Sequence, residues 1–373
     1  MLSVFTHFAK SVLETGEGIF WSFSRSEIGQ DQCYWTSKLM PPDKEERSQT
    51  DQGGLISDGF IITDWKGEAI LEYQISNTKY QSGVLNEGSV KDFWESLPNL
   101  SLGLGSELSK YLIEPALAYE DKVRQIQKAQ KDGEMWVMNL ATELTGELEN
   151  LGTEERLILA LKSYYKLLKS GKAHCGGVIW TPELKCVSFS PEVFIHQTEP
   201  HTIKSFPIKG TGTKDYLEHS EKEISELLMV TDLLRNDLSV IAEKVQVPRD
   251  RFLTNEGHFY HAQCEIEGRL KNSHLTLDQL KKILPPGSMT GCPKHRVGQY
   301  IDKLEAFDRH FYSGTFGVKK GDHLTLGLLI RTLFFGDCHW YYPVGAGITV
   351  ESDPARESQE VIEKAKVLLD FFG

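Results

Sequence analysis

Residues 206–211 read Phe206-Pro207-Ile208-Lys209-Gly210-Thr211. An apolar run meets a proline, and a lysine then precedes a Gly-Thr step. This is the pattern of a strand entering a tight, ordered turn. An amine held there out of bulk water is a nucleophile rather than a solvated charge, because desolvation disfavours the ammonium form. Alone, a Lys-Gly step is most often an ordinary turn with its ammonium in solvent. The neighbouring segments decide between the two.

Upstream, residues 176–181, 186–190 and 203–208 read as strands, and 136–144 as another. Residues 154–169 form an amphipathic helical pattern, with Leu157, Leu161, Tyr164 and Leu168 on one stripe. Residues 119–132 are helical and charged. Downstream, 216–234 reads as one long helix, and 275–284 and 294–304 as two more. Residues 311–348 read as an antiparallel meander turning at Gly321-Asp322 and Gly336-Asp337. A closing helix over 357–371 follows Pro354. Residues 1–110 hold short strand-like runs, such as 59–62 and 69–71, and carry no recognisable chemistry. Ser101-Leu-Gly-Leu-Gly-Ser106 is a loop rather than a complete dinucleotide fingerprint. Strands and helices come in blocks, which predicts an α+β layered architecture over a doubly wound parallel sheet. The expected organisation is one domain over 1–373, with a short strand-rich portion at 1–118 and the motif-bearing core at 119–373.

With 373 residues the chain can bury a large core, and 40% hydrophobic and 25% charged residues are ordinary globular values. A net charge of −12 argues against broad binding to nucleic acid or anionic membranes. The six cysteines lack any C-x-x-C spacing and read as reduced thiols of a cytoplasmic protein. No signal peptide or 18-residue apolar run is evident.

Two carboxylate pairs stand out. Glu223 and Glu226 lie at i, i+3 on one predicted helix, and Glu357 and Glu360 repeat that spacing on the last. Lys364 continues the second face. If the two helices face each other, four carboxylates converge and a hard divalent ion such as Mg²⁺ is the natural neutraliser. The plainer reading is two solvated acidic faces.

Other elements suit anions. Residues 284–294, Leu-Pro-Pro-Gly-Ser-Met-Thr-Gly-Cys-Pro-Lys, form a Pro/Gly-rich loop entering a helix and presenting Ser288 and Thr290; a helix start favours a carboxylate, though a capping threonine is the commoner case. Arg331 interrupts the apolar run 326–335 and must either reach solvent or meet a buried anion. Tyr312 and Gly345-Ala346-Gly347 lie near strand ends, where glycine lets backbone approach a ligand. Glu192 follows Ser190-Pro191 at a strand end, a place where a half-buried carboxyl can act as general acid. His258 and His261 share a strand-like stretch whose period puts them on opposite faces, against a metal pair.

In order and spacing these segments resemble the chorismate-utilising enzymes. The blocks are Ser190-Pro-Glu192, Pro207-Ile-Lys-Gly-Thr211, Glu223-Ile-Ser-Glu226 running into 232–237, Gly287-Ser-Met-Thr-Gly-Cys-Pro-Lys294, Ile330-Arg-Thr332, and Gly345-Ala-Gly-Ile348 followed by Asp353-Pro354 and Glu357-x-x-Glu360. The resemblance covers residue 119 to the end. It implies packed antiparallel sheets with outer helices, as in anthranilate synthase component I, together with chorismate as substrate and Mg²⁺. By the resemblance, Glu223, Glu226, Glu357 and Glu360 hold the metal and Glu192 is the acid. Arg331, Tyr312, Lys364, Gly347, Thr290, Thr211 and His261 would surround the substrate.

Within the family, lysine at 209 resembles the aminodeoxychorismate synthase component I branch, where anthranilate synthases have alanine. That branch implies amination of chorismate at C4 through a lysine adduct, toward p-aminobenzoate and folate. Ammonia would come from a separate glutamine amidotransferase subunit, whose signature this chain lacks. Val137 stands where water-adding isochorismate and salicylate synthases carry a lysine, and valine takes no proton. Anthranilate formation, water addition and non-catalytic chorismate binding remain the alternatives. The departures are Val137 in place of a usual glutamine, no arginine after Gly210-Thr211, and a short leader that puts a tryptophan-binding feedback site in doubt.

Overall fold

The computed structural model describes residues 1–24, 32–37, 39, 56, 58–74, 87–170, 172, 174–255 and 260–373. In chain order the first strands are β1 (Gly18–Ser24), β2 (Gln32–Thr36), β3 (Gly59–Thr63), β4 (Ile70–Gln74) and β5 (Val137–Glu147). Then come β6 (His174–Trp180), β7 (Lys185–Ser188), β8 (Val193–Gln197), β9 (Thr202–Phe206), β10 (Ile208–Gly212), β11 (Ala242–Asn255) and β12 (Tyr260–Leu270). The last are β13 (Gly291–Cys292), β14 (Thr315–Lys320), β15 (His323–Leu328), β16 (Thr332–Phe335) and β17 (His339–Ile348). They form two sheets. An eight-stranded sheet runs β13-β5-β17-β16-β7-β6-β1-β2. A nine-stranded sheet runs β10-β12-β9-β8-β15-β14-β3-β4, with β11 also on β12. Every described pairing is antiparallel, so the architecture is the expected α+β layering.

Strand β1 shows why the layers form. Ile19, Trp21 and Phe23 belong to a core shared with Phe60, Val193 and Ile195 of the other sheet. Phe20 points the opposite way, into a second core with Phe5, Phe8 and Tyr164. Successive side chains alternate in facing, and here both faces are covered, so the strand reads as continuously apolar. Ser22 satisfies its hydroxyl on Tyr164 Oη at 2.7 Å. The helices Leu2–Thr15 and Thr153–Ser170 supply that second core, and Pro354–Ala365 adds Val361 and Ala365 to it. The helix Glu221–Ile241 lays Leu227, Val230, Leu234, Leu238 and Ile241 into the first core. Each fully buried side chain of this size is worth about 1.5–3 kcal/mol over an exposed one.

The structure differs from the sequence reading in several places. Residues 208–212, read as a turn, form β10, and the strand-rich portion also holds the helices Leu2–Thr15 and Glu87–Ser96. The segment 214–241 is two helices, Lys214–His219 and Glu221–Ile241. Ser220 breaks them apart because its hydroxyl accepts the Glu223 backbone N–H at 3.4 Å as an N-cap. The stretch 311–348 is no single meander. β14 and β15 belong to the nine-stranded sheet and β16 and β17 to the eight-stranded one. The chain changes sheets at Arg331, whose φ of 49° turns the backbone through the left-handed region. The closing helix is also two, Pro354–Ala365 and Val367–Phe372. Residues 294–304 form the single helix expected.

A buried ion pair locks β5 to the 287–290 turn. Arg309 and Glu305 side chains are each 1% exposed and meet at 2.6 Å and 2.8 Å through two guanidinium nitrogens. Arg309 also donates to Met289 O at 2.7 Å and Asn139 O at 2.9 Å. Glu305 accepts the Ala141 backbone N–H at 2.8 Å. Geometry this complete offsets the desolvation of both charges, whereas removing one partner strands the other. Arg309→Ala is therefore expected to cost about 3–5 kcal/mol in chemical denaturation. Breaking the exposed Lys214–Glu218 pair with Glu218→Gln should cost less than about 1 kcal/mol.

Candidate active site

Lys209 owes its direction to a β-bulge. Pro207 bends the edge between β9 and β10, and its carbonyl still accepts the Cys264 N–H at 3.3 Å. Ile208 pairs with Gln263 and Thr211 with His261. Three steps on β10 thus oppose two on β12, and one residue is extra. Gly210 absorbs it at φ +83°. A bulge of this kind re-aims a side chain out of the regular alternation. Here it sends the Lys209 amine toward β17 of the other sheet, where a Cβ on Gly347 would lie 3.3 Å from Nζ.

The amine opens into a pocket with about 370 Å³ of empty space. Met229, Val230 and Leu233 of the Glu221–Ile241 helix form an apolar wall, joined by Glu226. Val137 and Asn139 project from β5, two residues apart and so on one face. Gly287, Ser288 and Gly291 close another side. Gly287 is held by Asp237, which accepts its N–H at 2.8 Å and pairs with Lys294 at 2.5 Å. A Cβ there would lie 3.0 Å from Asp237 Oδ2 and 3.2 Å from Leu233 Cβ, so only glycine lets the loop come this close.

The two acidic helices do approach. Glu357 is 3% exposed, and burial pushes its carboxyl up, helped by Glu360 and, more weakly, by Glu226 of the other helix. Glu360 is half-buried, and that desolvation works to raise it. The Lys364 ammonium at 2.9 Å and the charges of Lys209 and Lys222 nevertheless hold it below the usual carboxylate range. Burial works to lower Lys222, yet Glu226, Glu360 and Glu357 leave it raised overall. Lys222 meets Glu226 at 3.4 Å. Glu223 stands to one side, accepting from Tyr216 Oη at 3.1 Å. Among the described residues no three His, Cys, Asp or Glu side chains are drawn together closely enough to hold an ion. Ammonium groups serve as the counter-charges of this arrangement.

The other expected residues lie in distinct places. Lys364 donates to Gly345 O at 2.8 Å, two residues from Gly347. Tyr312 is 3% exposed, and burial pushes its phenol up to about 12. Arg331 is half-buried at the sheet change and lies near enough to Tyr342 to oppose the burial that raises that phenol. Glu192 is buried at the entrance to β8, its carbonyl accepting Leu328 N–H at 3.1 Å. His261 is buried on β12 opposite Thr211. Thr290 is buried with its hydroxyl donated to Pro286 O. The Thr211 side chain and His258 lie outside the described residues. Of the thirteen expected site residues, only Lys209, Glu226 and Gly347 line the pocket directly. Sequence reasoning missed Asn139, although its spacing from Val137 was the available signal. It also missed Lys222 and the Arg309–Glu305 pair, which carry no local signature.

A family model described as chorismate binding enzyme matches residues 106–370. The chain belongs to this family. A Haemophilus influenzae protein named "Uncharacterized PabA-like protein" is 31% identical over 264 residues, covering 67% of this chain and 75% of that protein. Aminodeoxychorismate synthase component 1 of Klebsiella aerogenes is 31% identical over 265 residues, covering 67% of this chain and 57% of the relative. Relatives named anthranilate synthase component 1 match at comparable identity, 29% and 32%, and the match spans 53% and 40% of their length. Anthranilate synthase component I from Streptococcus pneumoniae shares the fold, with a TM-score of 0.61 at 21% identity over 94% of this chain and 89% of that one. No helix among the described residues is long and apolar enough to cross a membrane.

The bulge generates a direct test. A Cβ on Gly210 would meet Glu223 Oε2 at 2.8 Å and would occupy the left-handed region. Gly210→Ala is expected to lower stability by roughly 1–2 kcal/mol in urea denaturation and to reduce turnover by displacing the neighbouring amine. A variant as stable and active as the parent would show that the bulge does not aim Lys209.

Proposed function

We propose that this chorismate-binding enzyme aminates chorismate at C4, giving 4-amino-4-deoxychorismate, with Lys209 as the nucleophile. The observation that carries this reading is the Lys209 amine, aimed by the bulge into the pocket and seated over Gly347, with Val137 across from it. A side chain able to activate water is absent at 137, and a primary amine is present at 209. Splitting one difficult substitution into two easier ones is the advantage of such a nucleophile.

In the first step the Lys209 nitrogen bonds to ring C2, both ring double bonds shift one position along the ring toward C4, and the C4–O bond breaks. Glu192 gives its proton to the departing hydroxyl, which leaves as water. In the second step ammonia bonds to C4, both ring double bonds shift back, and the C2–N bond breaks with its electron pair returning to Lys209. The proton shed by the new amine restores Glu192. The sum is chorismate plus ammonia giving aminodeoxychorismate plus water. Arg331, Tyr312, Lys364, Thr290, Thr211 and His261 are the candidates for holding the substrate in this sequence.

Glu223, Glu226, Glu357 and Glu360 are the candidates to hold Mg²⁺ through their hard oxygen donors; among the described residues no three acidic side chains lie close enough to hold an ion, so these would have to draw together around it. When bound, the ion would supply positive charge for a substrate carboxylate. Ammonia would come from a separate glutamine amidotransferase subunit in the cytoplasm, with the product serving p-aminobenzoate and folate supply. The anthranilate synthase relatives of comparable identity support one rival, amination at C2 with loss of pyruvate.

Chorismate, Mg²⁺ and ammonium salt decide between them. A product that added aminodeoxychorismate lyase converts to p-aminobenzoate is expected, and fluorescent anthranilate without lyase would overturn the proposal. Lys209→Ala should cut kcat steeply while chorismate affinity stays within about tenfold, since the amine acts in the transition state more than in binding; an unchanged kcat removes the nucleophile role. Glu360→Gln should shift the Mg²⁺ titration of activity to higher concentration, and an unaltered titration would count against the carboxylate site.

A further inference from the structure

Two residues that line the pocket each hold a buried polar atom with nothing to bond. Asn139 is 8% exposed and Ser288 is 9% exposed, both line the pocket, and neither Asn139 Oδ1 nor Ser288 Oγ has a hydrogen-bond partner. Buried polar groups of this kind are unfavourable unless something satisfies them. Their surroundings hold both residues in place at the pocket wall. The Asn139 backbone is pinned, its carbonyl accepting from Arg309 at 2.9 Å and its residue registered opposite Gly347. The Ser288 loop is pinned through Gly287 to Asp237. Gly345 leaves room for the amide, since a Cβ there would lie 2.7 Å from Asn139 Oδ1.

The chemistry of the two atoms narrows the ligand. An amide oxygen accepts hydrogen bonds and bears no charge, and a serine hydroxyl both donates and accepts. A substrate carboxylate offers no donor to Asn139 Oδ1. A small neutral group carrying N–H or O–H bonds fits. We infer that Asn139 and Ser288 are positioning residues for the neutral exchange partners of the reaction, the ammonia that enters the pocket and the hydroxyl it replaces. This rests on the amination reading. It adds that ammonia is received by β5 and the 287–290 turn, on the pocket sides formed by those elements, while Lys209 holds the ring.

The test is steady-state kinetics of the purified chain with ammonium chloride varied at saturating chorismate and Mg²⁺, together with direct titration of chorismate binding. Asn139→Ala is expected to raise the KM for ammonia by roughly tenfold or more, as loss of one buried hydrogen bond implies. Chorismate Kd should stay within about threefold and the thermal midpoint should be close to that of the parent. Ser288→Ala should move the ammonia KM in the same direction, and it carries the test alone if Asn139→Ala does not fold. An unchanged ammonia KM in a folded variant, or a tenfold weaker chorismate Kd with unchanged ammonia KM, overturns the inference and leaves the amination reading intact. A parent enzyme that forms no amino product from ammonium and chorismate sinks that reading, and this inference falls with it.

Discussion

The Arg309–Glu305 pair is the constraint on which the pocket depends. It takes two charges fully out of water, and it is tolerable only because every strong donor and acceptor is matched: carboxylate against guanidinium, and guanidinium against the carbonyls of Met289 and Asn139. Those carbonyls belong to the turn and the strand that make two sides of the cavity. The same pair takes the Ala141 N–H and, through the Arg309 carbonyl, the Tyr312 N–H at 2.7 Å. A single buried pair therefore sets β5, the 287–290 turn and Tyr312 relative to one another. Its guanidinium also lies 5.0 Å from the Trp65 ring, which ties in the β3–β4 turn. An apolar pair of equal volume could fill the space but could not fix three backbone segments at hydrogen-bond distance, and specificity of arrangement is the attested use of such groups.

The pocket exists because two sheets of different connectivity meet there. Lys209 comes from the nine-stranded sheet and Gly347 from the eight-stranded one. β10 is irregular at the contact, while β17 stays in register with β5. β10 carries an extra residue, and β17 contributes glycines where side chains would fill the space. A regular β10 would send residue 209 along the alternation of its own sheet, and the amine would miss the cavity by a strand face. The bulge and the glycine are thus complementary departures, one extending a side chain and the other withdrawing one.

Much of this was legible beforehand, for identifiable reasons. The helix over 294–304 is encoded by residues adjacent in sequence, and local patterns report local structure; the Pro-Ile-Lys-Gly-Thr segment, read as a strand entering a turn, is instead a bulged strand whose pairing to β12 the local pattern did not show. The helix break at Ser220 was missed because the apolar period runs through it, while the cap that breaks it is a single hydroxyl. The sheet change at Arg331 was missed for a different reason. An apolar run says that a strand is buried but not which sheet buries it, and the residue that interrupted the run was itself the crossover. Arg309 sits in Phe307-Asp-Arg-His-Phe311 with no pattern to mark it, since its partners lie at 139, 289 and 305. Asn139 is intermediate: period two from Val137 placed it on the right face, but only the folded chain shows that nothing satisfies its amide.

The charges around the pocket follow from the same geometry. Glu357 and Glu360 lie one turn apart on one helix, and burial acts to raise both, yet their protonation is pushed in opposite directions. The difference is the company each keeps. Glu360 has the Lys364 ammonium at 2.9 Å and feels Lys209 and Lys222, whereas Glu357 has Glu360 as its largest charged neighbour. Lys222, raised by three glutamates from two helices, is the cation that links the acidic faces. A chain of net charge −12 repels an anionic substrate at long range, so the local ammonium groups have two tasks. They keep the carboxylates from repelling one another, and they make the region around Lys209 less negative than the surface around it. The amine and Lys364 both bear on Glu360 from the pocket side, so a ligand carboxylate arriving there would compete with that glutamate for the same positive charge. In the proposed reaction Glu226, Glu357 and Glu360 would hold Mg²⁺, which would supply countercharge to them, so that Lys364 would be available to the substrate and Lys209 to its ring.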